Sequence, residues 1–309
     1  MIVTLTLNPA LDKSTEVERL IPEKKMRCSD MKVEAGGGGI NISKAVKILG
    51  GETMAILPSG GINGKQICGI LENSGIPFRA IGIDGDTREN FVVRELSTNK
   101  QFRFVMPGPA LESKDLDQCI SIIEGLPSST TFLILSGSLP PGVPEDFPSQ
   151  IALIAKNKGI KFIIDTSGEP LKKALRKGVY LIKPNLTELG SLVGKNWLEI
   201  PEIEEAAKQV LAQSNCDVII SSMGPAGALL MTREGHKQIN APAVKKLSTV
   251  GAGDSMLAGI AFKLESGASI MEAVRFGVAC GTAATMNKGT SLFKKQDVET
   301  LYEWIKKNN

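Results

Sequence analysis

The sequence has a single histidine, His236, in 309 residues. That excludes a multi-histidine metal centre and any mechanism needing two imidazoles. The setting of His236 in Arg233-Glu-Gly-His236 predicts a turn residue. Cysteine is scarce as well: Cys28, Cys68, Cys119, Cys216 and Cys280 are odd in number, far apart and without a CxxC pair. Neither a disulfide framework nor a zinc site is built that way, so the five are read as small core or lid residues of a cytoplasmic protein. Aromatics reach only 5%, which leaves few surfaces for stacking a base on the acceptor side. No apolar run approaches the roughly 20 residues of a membrane helix. Met1 to Ala10 carries no basic leader, and its alternation of Val3, Leu5 and Leu7 with Thr4, Thr6 and Asn8 predicts a first strand rather than a signal peptide. Thirty-six Lys and Arg against 33 Asp and Glu give a net charge of +3, too small to attract nucleic acid by bulk charge.

What is present is a globular composition, 42% hydrophobic and 22% charged, with 32 glycines. A short apolar run, a Gly, Pro or Ser loop and a segment of helical spacing recur along the chain, which predicts an α/β fold with a parallel sheet. The runs are Thr53 to Leu57, Thr131 to Leu135, Lys161 to Ile164, Val179 to Ile182 and Val218 to Ile220, each followed at once by polar residues. Ligands of open parallel sheets bind beyond the carboxyl ends of strands, so Ser136 to Ser138, Asp165, Lys183 to Asn185, Ser221 and Ser222 mark where chemistry is sought. Two stretches, about 14–35 and 90–106, have β-type alternation without intervening helices. They are read as a small β-lid on one body spanning 1–309; extra edge strands of the main sheet are the alternative.

Three glycine or cap motifs stand out. Thr249-Val-Gly-Ala-Gly-Asp254 precedes an amphipathic helix, and its glycines allow several N–H groups to converge on one anion at a helix start. Asp254 beside such a hole is placed to take a proton from an attacking hydroxyl, or is simply a first-turn acid favoured by the helix dipole. Ala35 to Asn41, with four consecutive glycines, lets the backbone approach a ligand and offers the Asn41 amide to a sugar hydroxyl; the plain alternative is a flexible connector. It matches neither the dinucleotide nor the Walker pattern. Asn185-Leu-Thr-Glu188 reads as a near capping box, as a pair organising water around Mg²⁺, or as both.

With these three motifs in order, the chain resembles the ribokinase-like (PfkB) sugar kinases over essentially its whole length. Thr6-Leu-Asn-Pro-Ala-Leu-Asp12, Arg103-Phe-Val-Met-Pro-Gly108 and Ser136-Gly-Ser-Leu-Pro-Pro-Gly142 resemble the hexose-phosphate branch. Gly38 stands where the 1-phosphofructokinases usually carry lysine, so the resemblance leans towards the minor bacterial 6-phosphofructokinases. It implies a three-layer α/β body with a β-lid that commonly dimerises, and transfer of the γ-phosphoryl of MgATP to the C1 hydroxyl of fructose 6-phosphate. Tagatose-6-phosphate kinase, 1-phosphofructokinase, a nucleoside kinase and a catalytically silent ATP or sugar-phosphate sensor are the alternatives.

The resemblance also implies roles. Asp254 takes the place of the base, and Gly251, Ala252 and Gly253 that of the anion hole. The sugar phosphate would meet Asp12, Gly37, Gly38, Asn41 and Ser138, with Lys25, Arg27, Arg88 and Arg103 supplying charge; Asp12 reads equally as a turn residue. The nucleotide would meet Lys183, Asn185, Ser222, Gly224, Gly227 and Thr249, with Val278, Thr282 and Asn287 around adenine. Glu188 would hold Mg²⁺ through water. K⁺ would lie among Ser248, Val250, Ala284, Asn287, Gly289 and Ser291.

Overall fold

A computed structural model describes residues 1–287, 289 and 291–309. The first strand and the five apolar runs become β1 (Ile2–Leu5), β4 (Thr53–Ser59), β8 (Phe132–Ser136), β9 (Lys161–Asp165), β10 (Val179–Ile182) and β11 (Cys216–Ser222) of a nine-stranded sheet, which β5 (Phe78–Gly82), β12 (Ala228–Thr232) and β13 (Gly235–Ile239), not among those runs, complete. Their order is β13-β12-β11-β10-β9-β8-β1-β4-β5. The sheet is parallel from β5 to β11, but β12 and β13 add antiparallel at one edge, beyond what the predicted alternation contained. They form a hairpin too short to hold a crossover helix. His236 accordingly lies within β13, opposite Met231 and 3.3 Å from Glu204, rather than in the turn.

Helices cover both faces. On one side lie α3 (Ser113–Glu124), α4 (Phe147–Asn157), α5 (Gly168–Leu175), α6 (Leu186–Leu192) and α7 (Ile203–Gln213), and on the other α1 (Gly38–Leu49), α8 (Ala252–Glu265), α9 (Ile270–Thr285) and α10 (Lys295–Asn308); α2 (Gly61–Asn73) packs beside β4. β1 at the centre is therefore buried along its length, with Val3 and Leu5 facing one core and Ile2 the other. Its Thr4 would be an orphaned hydroxyl there, a cost of about 1–3 kcal/mol. The chain Thr4 Oγ1, Ser43 Oγ, Thr53 Oγ1, at 2.8 and 2.9 Å, satisfies it.

The separate small sheet has the order β3-β2-β6-β7, built from β2 (Ala10–Val17), β3 (Lys32–Gly36), β6 (Arg88–Glu95) and β7 (Lys100–Val105). Its first strand begins at Ala10, earlier than the alternation from Ser14 indicated, and ends at Val17. Residues 18–31 form no strand: Pro22 has no amide to give a ladder, and the Leu20 amide is taken by the Glu95 side chain. Asp12 is thus a strand residue and not a turn residue, directly across from Glu34 on one side and Asn90 on the other. Among the described residues, no helix is long and apolar enough to cross a membrane.

Candidate active site

The parallel ladder aligns the strand ends, and their polar residues converge. Ser136 closes β8 and is registered against Asp165, which closes β9. Lys183 and Asn185 follow β10, and Asn185 bridges to Ser222 at the end of β11. These ends, with the starts of α1, α6 and α8, line a cleft of about 880 Å³. Gly38, Ser138, Lys183, Asn185, Glu188, Ser222, Gly224, Thr249, Gly253 and Asp254, all singled out in the sequence, face it.

At α8 the cap is Gly251, held left-handed at φ 70°, a conformation L side chains avoid, so the turn delivers the amides of Ala252 and Gly253 into the helix start. A Cβ on Gly253 would lie 3.1 Å from Lys183 Nζ, which places that ammonium beside the same turn. Asp254 is one residue further on. Burial pushes its carboxyl up to about 6, helped by the nearby Asp165 charge and opposed by the Asn41 amide and Lys183. Asn41, in the first turn of α1, donates to Asp254 Oδ2 at 2.9 Å. The glycine run before it is no loose connector: a Cβ at Gly38 would meet Ser136 Oγ at 2.1 Å, and one at Gly39 the Thr6 hydroxyl at 2.5 Å.

Lys183 is buried 3.4 Å from Asp165. Burial alone would lower its pKa, but the charges of Asp165, Asp254 and Glu188 carry it above the ordinary lysine value. Asp165 was marked only as a strand-end residue; its pairing with Lys183 across two strands has no signal in local sequence. Trp197 also lines the cleft, from a loop after α6 whose pattern gives no warning of it. Asn185 and Glu188 form a full capping box, with Asn185 Oδ1 accepting from the Glu188 amide and Glu188 Oε2 from the Asn185 amide, both at 2.9 Å. Burial raises the pKa of Glu188, as does Asp165.

Other singled-out residues lie apart from the cleft lining. Asp12 accepts from Asn90 at 2.9 Å across the β2–β6 pairing, and burial raises its pKa. Gly37 packs on Thr6. Arg88 gives Nη1 to the Met106 carbonyl and Nη2 to the Asn8 carbonyl. Lys25 and Arg27 are exposed in the 18–31 segment, and Arg103 is exposed on β7, bonded to Gln101. Gly227 packs under Ile239 and Ala241, while Val278 lies in the α9 core, where its carbonyl accepts from Thr282. Next to α8, two loops are tied together: Leu247 and Ser248 donate their amides to the Thr285 carbonyl, and Ser248 Oγ donates to that of Gly289. Val250 donates to Ser248 Oγ, Asn287 to the Ala284 carbonyl, and Lys32 to Ser291 Oγ.

A buried carboxylate raised towards neutrality, beside a helix-start glycine turn and a buried ammonium, equips this cleft to deprotonate a hydroxyl while a transferring phosphoryl group is held. The model of the pfkB family carbohydrate kinases matches residues 6–297, and the chain belongs to that family. It is 40% identical over 308 residues to the ATP-dependent 6-phosphofructokinase isozyme 2 of Escherichia coli, covering 98% of each chain. To the 1-phosphofructokinase of Borreliella burgdorferi it is 34% identical, over 97% of this chain and 96% of that one. The crystal structure of Escherichia coli phosphofructokinase-2 in complex with potassium superposes with a TM-score of 0.94 at 39% identity, covering 99% of both chains. The fold is ribokinase-like, and the protein is a sugar-phosphate kinase of the PfkB type.

Proposed function

We propose that this kinase transfers the γ-phosphoryl group of MgATP to the C1 hydroxyl of fructose 6-phosphate, giving fructose 1,6-bisphosphate and ADP. The observation that carries this reading is Asp254, held by Asn41 at the mouth of the α8 glycine turn, in one cleft with Gly38 and Ser138. As the C1 oxygen bonds to the γ-phosphorus and the bond to the β-phosphate oxygen breaks, its proton passes to Asp254. The amides of the Gly251 to Gly253 turn and the Lys183 ammonium receive the negative charge spread over the transferring group. Mg²⁺, when bound, neutralises phosphate charge, and the half-buried Glu188 carboxylate, already turned to the cleft, suits its water shell. The last turn of α9, with Ala284, and the tied loops carrying Ser248, Val250, Asn287, Gly289 and Ser291 present carbonyl and hydroxyl oxygens of the kind K⁺ takes. The structure of the Escherichia coli relative in complex with potassium supports the use of a monovalent cation.

Three observations favour the 6-phosphate sugar. The 6-phosphofructokinase relative is the more similar of the two reported above. Position 38, which by the resemblance is usually lysine in the 1-phosphofructokinases, has no room here for a side chain. Arg88 binds the carbonyl of Asn8, whose side-chain amide meets Ser138, and Asp12 lies on the strand paired with that of Arg88. Lys25, Arg27 and Arg103 reach the sugar only if a lid brings them over. The lid offers an apolar surface: Phe91 opposite Phe104, with Phe102 on the same face of β7, forms an exposed apolar face suited to a second copy of this chain. A coupled assay with fructose 6-phosphate, fructose 1-phosphate and tagatose 6-phosphate, each with MgATP, is expected to give the highest kcat/KM for the first. A preference for fructose 1-phosphate overturns the assignment.

Glu188→Gln separates the two roles of that residue. Gln keeps the capping box, so thermal melting should stay near that of the wild type, while the Mg²⁺ concentration for half-maximal rate should rise about 10- to 100-fold. A lowered melting midpoint with unchanged Mg²⁺ dependence would make Glu188 structural only.

A further inference from the structure

Asn8 is a buried polar residue outside the lining of the cleft. It lies between β1 and the first lid strand, in Thr6-Leu-Asn-Pro-Ala-Leu-Asp12, and is 8% exposed. Its side-chain amide donates to Ser138 Oγ at 3.1 Å. Its main-chain carbonyl accepts from Arg88 Nη2 at 2.9 Å, and the other arm of that guanidinium holds the Met106 carbonyl. Gly108, two residues beyond Met106, makes the space: a Cβ there would stand 2.1 Å from Asn8 Oδ1. The motifs around Asn8, Gly108 and Ser138, remote in sequence, therefore meet at one side chain.

The direction of the Asn8 bond matters because a hydroxyl has one hydrogen and two lone pairs. Ser138 lines the cleft. By accepting the Asn8 N–H, its oxygen keeps its own hydrogen available to whatever enters. We infer that Asn8 is a positioning residue that fixes Ser138 as a hydrogen-bond donor towards an oxygen of the sugar phosphate, and that Gly108 exists as glycine to seat it. This rests on the sugar-phosphate reading above.

The test uses steady-state kinetics of the full-length enzyme with the best of the three hexose phosphates. Asn8→Asp keeps the shape but replaces the donor by an acceptor, so Ser138 turns its hydrogen inwards and shows lone pairs to the substrate. KM for the sugar phosphate should rise about tenfold, as expected for one lost hydrogen bond, with KM for ATP within about twofold. Asn8→Ala should raise it less, and in a Ser138→Ala background should cost nothing further. Gly108→Ala, which leaves Asn8 in place chemically but displaces its amide, should reproduce the Asn8→Ala loss and likewise fall silent without Ser138. Arg88 uses the main-chain carbonyl of residue 8, so its anchor survives all of these changes. An unchanged sugar KM in Asn8→Asp, or losses that add to that of Ser138→Ala, would overturn the inference while leaving the function standing. If Ser138→Ala itself leaves the sugar KM unchanged, the placement of the sugar beside Ser138 fails, and the inference with it.

Discussion

Asp254→Asn should lower kcat by about 10²- to 10⁴-fold, the usual worth of a general base, while ATP binding stays close to that of the wild type. Asn has the size of Asp and can still meet the Asn41 side chain, so the cleft keeps its shape and loses only the proton acceptor. The wild type should also show the base in its pH profile. Burial and the Asp165 charge hold the carboxyl up to about 6, so below that pH Asp254 carries a proton and cannot take another. Turnover should therefore fall as pH drops through about 6, with the slope of a single proton, and the residual rate of Asp254→Asn should lack that limb. An activity loss under tenfold, or the same acidic limb in the variant, would remove Asp254 from the role.

Lys183→Met should damage both stability and rate. The buried ammonium faces Asp165 at 3.4 Å and is held charged by Asp165, Asp254 and Glu188 together. Deleting one partner of a buried ion pair leaves the other charge uncompensated, at a cost of about 3–5 kcal/mol. Its loss from beside the glycine turn should remove about 10²- to 10³-fold in kcat, as for other preorganised electrostatic groups. It should also move the acidic limb to higher pH, because Lys183, after the Asn41 amide, is one of the two groups that lower the Asp254 carboxyl. Adding Asp165→Asn to Lys183→Met removes the stranded carboxylate, so melting should recover in part while kcat does not. A Lys183→Met protein that melts like the wild type would show that the lysine is not paired in the folded state.

The two acidic residues show how much of this site could be read in advance. Asp254 sits inside a glycine motif whose geometry is local, so its place at a helix start was legible. Asp165 follows an apolar run and reads as a strand end, but its partner is 18 residues away, just past the next strand, and only the register of β9 and β10 brings them together. The same division runs through the fold. Doubly covered strands announce themselves as apolar runs, whereas β12 and β13 at the edge, and the lid strand entering at Ala10, depend on pairings that no short window contains. Asn185 and Glu188 illustrate a third case: the capping box was visible in the spacing, and the same spacing turned the carboxylate to the cleft.

The lid has a consequence for how the chain reaches its native state. Its central pairing, β2 along β6, is parallel and joins residues 10–17 to 88–95. The intervening chain is not lid at all after Gly36: it supplies α1, β4, α2 and β5 to the body. The lid can thus close only once that body segment has been laid down and has brought Arg88 back beside Ala10. Contacts of such long sequence separation form late, since loop closure precedes any gain from the contact. The small sheet is therefore completed only after the α1, β4, α2 and β5 part of the body is in place, so its assembly depends on that part of the body.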